Sequence, residues 1–188
     1  MRVLLSTIGS RGDVQPLVAL ATRLRALDTH VRLCVPPDFV EWITALSFDA
    51  VPVGPWLRAV TTASPAQPMT PERRRELAEA SVVEQFTTVE RAADGCDAVV
   101  GATALQLAAP TIAEARGLPY VFTAYCPDVV PSDATMPLMP TTAPGDADAP
   151  PTRAELWARD GARFHALFGP TLNAQRQQRG LAPVDDTR

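Results

Sequence analysis

Short apolar runs alternate along this chain with longer stretches in which apolar residues recur every three or four positions. That alternation predicts strands interleaved with amphipathic helices. Val3-Leu4-Leu5, continued by Ser6-Thr7-Ile8, reads as a buried parallel strand, and from Pro16 onward Leu17, Leu20, Leu24 and Leu27 keep helical spacing. A second strand is predicted at 31–35, where Pro36-Pro37 stops it. Pro37 suits the first turn of a helix running to about residue 46, and a third strand follows at 49–53. Thr70-Pro71-Glu72 opens a long helix with a threonine cap and a first-turn proline, its apolar face carrying Leu77, Val82, Phe86 and Val89. The second half repeats the theme with a strand at 97–102, a helix at 105–116 ending at Gly117, and a strand at 119–124. Pro110 lies inside that helix and either bends it or marks its true start. Thr152 and Glu155 spell a capping box ahead of a helix with Leu156, Trp157, Phe164 and Phe168 on one side; Gly169-Pro170 is expected to interrupt it, with Gly180 capping the continuation. The fold class expected is α/β, a Rossmann-like doubly wound parallel sheet.

Two connections are too long to be simple links: 54–70, and 125–151 with its seven prolines. The segment GSRGDVQP at 9–16 joins the first strand to its helix. All carboxyl ends of a parallel sheet lie on one side, so these three loops should surround one cleft. The first of them holds a single carboxylate, Asp13. On the plainest reading Asp13 caps the helix that follows, a role compatible with facing a ligand. Gly12 before it allows close backbone approach, and Arg11 beside it could pair with a phosphate or carboxylate.

With 188 residues, 46% of them hydrophobic, the chain can bury one substantial core. A net charge of -4 argues against a nucleic-acid partner. All 17 positive charges are arginine, which removes lysine chemistry, the P-loop lysine included. Cys34, Cys96 and Cys126 form no CxxC, so neither a zinc site nor a disulfide framework is expected, and the first two read as small buried hydrophobes. The initial apolar run breaks too early for a signal peptide and no segment approaches a membrane span, so a reduced, cytoplasmic protein is expected.

The spacing of Gly9 and Gly12 does not match a dinucleotide fingerprint, and no acidic residue ends the second strand. His30 and His165 stand far apart, Arg73-Arg74-Arg75 reads as a solvated helix face, and no nucleophile elbow occurs. Without nucleophile or metal, the chemistry best suited to one loop carboxylate is proton removal from a substrate hydroxyl.

The run TIGSRGDVQPLVALATRL at 7–24 resembles the N-terminal signature of two-domain, GT-B fold glycosyltransferases, and the resemblance continues through GCDAVVGAT, GLPYVFTAYCPDVVPS and LFGPTLNAQRQQRGLAPV. The sequence is similar to sterol glucosyltransferases and to actinobacterial enzymes that glycosylate glycopeptide, macrolide and polyketide aglycones; YCPDVVPS favours the natural-product branch. This resemblance implies inverting transfer from a UDP- or TDP-sugar, as co-substrate, to a hydroxyl of an apolar acceptor, with no metal or other cofactor. It puts Asp13 at the position of the catalytic base, with Ser10, Arg11 and Asp13 matching donor contacts. Gly12, Phe86, Tyr125, Pro127 and Asp128 would line the acceptor pocket. It also implies a second, donor-binding domain. The expectation is therefore one Rossmann-like acceptor-binding domain over 1–188, incomplete at its C-terminus and inactive alone, completed by a donor domain in cis or trans. A non-catalytic aglycone-binding module and one subunit of a split transferase are the alternatives.

Overall fold

The computed structural model describes residues 1–57, 69–138, 140, 143, 146, 147 and 149–187. The chain order is β1 (Arg2–Thr7), α1 (Arg11–Arg25), β2 (His30–Val35), a 3-10 turn (Pro37–Phe39), α2 (Val40–Ala45) and β3 (Asp49–Pro52). There follow α3 (Pro71–Ala92), β4 (Ala98–Ala102), α4 (Ala108–Arg116), β5 (Tyr120–Thr123), a 3-10 turn (Pro127–Val129) and α5 (Arg153–Gln178). The five strands form one sheet in the order β3-β2-β1-β4-β5. All four pairings are parallel, with Leu5 of β1 in register with Leu33 on one side and Val100 on the other.

Successive side chains of a strand point to opposite faces, and this divides the core in two. Val3 and Leu5 pack with Val14, Leu17, Val18 and Ala21 of α1 and Ile43 of α2. Leu4, Cys34 and Val99 meet Val82, Phe86 and Val89 of α3, Ile112 of α4 and Leu172 of α5 on the other face. Each fully buried leucine contributes about 1.5–3 kcal/mol of burial free energy. Arginines tie the second layer together. Arg176, buried, donates to the Ala182 carbonyl at 2.7 Å and to both carboxylate oxygens of Glu114 at 2.8 and 3.2 Å. Arg179 pairs with Glu90 at 2.5 Å while its guanidinium lies 4.6 Å from the Phe86 ring centroid.

Caps follow the local chemistry. Thr70 accepts from the Arg73 amide at 3.2 Å, and Thr152 with Glu155 closes a capping box. Gly117 ends α4 at φ 64, a conformation glycine adopts without a Cβ penalty.

Several boundaries differ from the sequence pattern. α1 begins at Arg11 and contains Pro16, whose missing N–H leaves only the Gly12 carbonyl without its helical partner. Pro110 marks the start of α4, which opens at Ala108. α5 runs unbroken through Gly169-Pro170. The lost hydrogen bond there is offset by packing of Phe164 and Phe168 on the core and burial of Leu172. Gly169 also makes room for the imidazole of His165, since a Cβ at that position would stand 2.6–2.9 Å from three ring atoms. Leu77, expected on the apolar face of α3, is exposed. No helix among the described residues is long and apolar enough to cross a membrane.

Candidate functional site

Parallel pairing brings the segments after β1, β3, β4 and β5 to one edge of the sheet. Their stitching is specific. The Thr103 hydroxyl donates to the Ile8 carbonyl at 3.2 Å, and the Thr103 amide donates to the Thr123 carbonyl at 3.2 Å. Thr103 adopts φ 72, so a β-branched residue holds a left-handed conformation where β1, β4 and β5 end together. Beside β1, Glu84 of α3 accepts from the Gly54 amide at 3.0 Å, and Asp38 accepts from Leu57 at 2.7 Å. Most of the 54–70 connection, 58–68, lies outside the described residues.

Asp13 occupies the first turn of α1 as its third residue, and the cap itself is Ser10. Ser10 has extended backbone angles and its hydroxyl accepts from the Gly12 amide at 3.2 Å. The Asp13 Oδ2 in turn accepts from the Ser10 amide at 2.6 Å and from its hydroxyl at 3.0 Å. This reciprocal arrangement is a capping box, and the pattern Ser10-x-x-Asp13 announces it. Both hydrogen bonds fall on Oδ2, so among the described residues Oδ1 has no hydrogen-bond donor.

The glycine that makes this geometry possible is Gly9. Its φ is 156, and a Cβ there would stand 2.5 Å from Cγ of Asp13 and nearer still to Oδ2. The carboxylate thus folds back over a position where any side chain would evict it. Gly12 is less constrained, because a Cβ there would meet only the Ser10 hydroxyl at 3.5 Å.

Arg11 donates to the Gln15 side-chain oxygen at 3.1 Å, and its guanidinium lies 5.1 Å from the Trp42 ring centroid. Its charge is thus parked on the α1–α2 side of the mouth. On the other flank stand Tyr125, Cys126 and Asp128. Burial, then the Asp13 carboxylate, push the Tyr125 phenol upward against an opposing hydrogen bond with Thr123. The Cys126 thiol is also raised, first by its hydrogen bond to Asp128, with the charges of Asp128 and Asp13 adding to it. Cys126 is exposed but poorly disposed to ionise, which is the opposite of an activated nucleophile. Cys34 is buried and pushed up to about 12.

The structure therefore brings Ser10, Arg11, Gly12 and Asp13 together with Tyr125, Pro127 and Asp128 at the carboxyl edge. It does not bring Phe86 there. That ring is 1% exposed in the core beneath Arg179, because α3 packs this side of the helix against the sheet. A cavity of about 540 Å³ lies further along, between α4, β5, the 129–131 turn and α5, lined by Thr103, Gln106, Phe122, Val130 and Leu172 among others. None of the seven residues at the carboxyl edge contributes to its lining.

Comparison with known proteins agrees with this architecture. Residues 3–132 match the glycosyltransferase family 28 N-terminal domain. Glycosyltransferase GtfC of Amycolatopsis orientalis is 43% identical over 99% of this chain and 45% of its own length. The vancomycin aglycone glucosyltransferase of the same organism is 40% identical over 99% of the chain and 45% of its own length. The chain thus spans about half the length of the curated relatives it matches. Among solved structures, glycosyltransferase VinC in complex with dTDP superposes with a TM-score of 0.60 at 20% identity, covering 98% of this chain and 46% of that one. Spinosyn forosaminyltransferase SpnP gives 0.61 at 21% identity over 98% and 43%. Those likenesses identify the sheet as the N-terminal half of a GT-B fold. From its sequence match over 3–132 and its parallel five-stranded sheet, the chain belongs to the glycosyltransferases of family 28, as their N-terminal domain.

Proposed function

We propose that this domain is the acceptor-binding half of an inverting glycosyltransferase and that Asp13 is its general base. The observation that carries this reading is the Asp13 carboxylate at the carboxyl end of β1, with Oδ2 tethered by Ser10 and Oδ1 without a donor. An acceptor hydroxyl placed at Oδ1 gives up its proton there as its oxygen attacks the anomeric carbon. The bond from that carbon to the nucleotide diphosphate breaks on the opposite face, and the electron pair leaves with the nucleotide. Configuration inverts and no covalent sugar intermediate forms, which is consistent with the raised Cys126 thiol.

Tyr125, Pro127 and Asp128 flank Asp13 and would contact the acceptor, while Ser10 and Arg11 would meet the donor. The relatives include a vancomycin aglycone glucosyltransferase, which favours a natural-product aglycone as acceptor and a nucleotide-sugar as co-substrate. The donor domain is supplied by residues outside these 188, in the same or a second polypeptide, because the relatives are about twice as long. In the protein that carries both halves, Asp13→Asn should lower transfer by about 10²–10⁴-fold while the melting temperature is kept. Turnover like the wild type would remove Asp13 from the role of base, and retention of anomeric configuration in the product would remove the inverting mechanism.

A further inference from the structure

The segment presenting Tyr125, Pro127 and Asp128 has little regular structure of its own. Its described backbone forms one 3-10 turn, Pro127–Val129, closed by Val130 donating to the Pro127 carbonyl at 3.2 Å. Order beyond that turn comes from side chains. The Ser132 and Thr135 hydroxyls lie 2.7 Å apart, the Thr135 amide donates to the Ser132 hydroxyl at 3.2 Å, and the Thr135 hydroxyl donates to the Pro127 carbonyl at 3.3 Å. These bonds make 127–135 a small closed unit with Asp128 at one end. β5 leads into this unit through 124–126, and a contact from another element can fix where it sits.

Trp157 makes such a contact. It is the fifth residue of α5, in a turn already fixed by the Thr152–Glu155 capping box, and its side chain is buried. Its single indole N–H reaches two carbonyl oxygens of the unit, Ser132 at 3.1 Å and Thr135 at 2.9 Å. Two residues on, Arg159 straps the far part of the connection through Asp146 at 2.8 and 3.0 Å. An indole offers one donor and no acceptor, and here that donor is directed at the loop backbone. Val129, Val130 and Pro131 of the same unit line the 540 Å³ cavity, whereas Asp128 is outside that lining and hydrogen-bonds with Cys126, whose thiol also senses the Asp13 charge.

Resting on the function proposed above, we infer that Trp157 is a positioning residue: its bridging N–H holds the 127–135 unit in register with Asp13 and thereby sets acceptor binding without touching the reacting atoms. The test is Trp157→Phe, which keeps an aromatic ring and removes the donor, made in the polypeptide that carries both halves of the transferase. Backbone hydrogen exchange across 127–135 should accelerate about tenfold, the loss expected for one well-made buried bond. The acceptor KM should rise by a similar factor while kcat and the donor KM stay within twofold. Thr135→Val, which cuts the unit from inside and leaves α5 alone, should reproduce the acceptor effect and serves if the Phe variant folds poorly.

Unchanged exchange in 127–135 would overturn the anchoring. Faster exchange with an unchanged acceptor KM would overturn the positioning role. A kcat loss equal to the KM change would mean that Trp157 supports the fold in general. If the wild-type enzyme transfers no sugar, the function proposed above falls, and hydrogen exchange still decides whether Trp157 holds the loop.

Discussion

Replacing Gly9 by alanine tests the geometry of Asp13 without altering a charge or a hydrogen-bonding group. A Cβ at position 9 would lie 2.5 Å from the Asp13 Cγ and nearer still to Oδ2, whereas ordinary contact begins at 3.4 Å, so the carboxyl group must withdraw by about 1 Å or more. Withdrawal breaks the Oδ2 bonds to the Ser10 amide and hydroxyl, removing half of the capping box at a cost of about 0.5–2 kcal/mol. Alanine at φ 156 adds about 1–3 kcal/mol of backbone strain. Taking about 2–4 kcal/mol together, and about 2–4 °C per kcal/mol for a chain of this size, the melting temperature should fall by roughly 5–15 °C. With Asp13 as the base proposed above, its displacement by about 1 Å should also lower turnover by about 100-fold at temperatures where the protein remains folded. The assay is thermal denaturation followed by circular dichroism, with initial rates of sugar transfer measured in the two-domain protein. Gly12→Ala is the matched control. Its Cβ would meet only the Ser10 hydroxyl at 3.5 Å, and alanine inside a helix gains about 0.5–1 kcal/mol over glycine. If Gly9→Ala melts and turns over like the wild type, Asp13 is not held as described; equal losses in the two variants would refute the assignment of the constraint to Gly9.

Three further expectations come from the titrating groups. Cys126 should react slowly with iodoacetamide at neutral pH despite its exposure, and Asp128→Ala should accelerate the reaction by removing the largest influence that raises the thiol; a slower reaction in that variant would refute the contact. Cys34, buried and pushed up to about 12, should stay unmodified until the protein unfolds. The Glu155 carboxyl is held below its ordinary value by hydrogen bonds from the Thr152 amide and hydroxyl. A depressed carboxyl stabilises the fold above its unfolded value and loses that contribution as pH falls through the folded one. Melting temperatures of the wild type and Glu155→Gln should therefore differ at about pH 7 and converge below the ordinary carboxylate range. A gap that persists in acid would mean that the carboxylate charge is not what caps α5.

The mouth of the site was partly legible in the primary structure. Asp13 stood out because a lone carboxylate leaves an apolar strand, and Ser10-x-x-Asp13 carried the capping box in plain sight, though the leucine periodicity drew attention to Pro16 as the helix start. Proline in a first or second turn costs one hydrogen bond at most, so it delimits a helix less sharply than its reputation suggests. Gly9 was harder to single out. Its importance arises from the side chain of a residue four positions on folding back over it, which no local preference encodes. Phe86 misled for the opposite reason, since an aromatic on an amphipathic helix is equally suited to a pocket and to a core. Only the packing of α3, with Arg179 laid across the ring, decided between them. The bridge from Trp157 to Ser132 and Thr135 spans more than twenty residues and an irregular loop, and no periodicity connects such partners.

What the amino-acid order determined by itself is everything that depends on neighbours: the β-α alternation, the threonine caps of α3 and α5, the left-handed Gly117, and the absence of lysine, nucleophile elbow and dinucleotide loop. Hydrophobic period and cap chemistry act within one or two turns, so they survive without any knowledge of the fold. The tertiary structure decided the strand order β3-β2-β1-β4-β5, the continuity of α5 through Gly169-Pro170, and the burial of Phe86 in the core and not at the cleft that the loops were expected to share. Those outcomes rest on burial and hydrogen bonds between residues distant in sequence. Their energy exists only once both partners are in place.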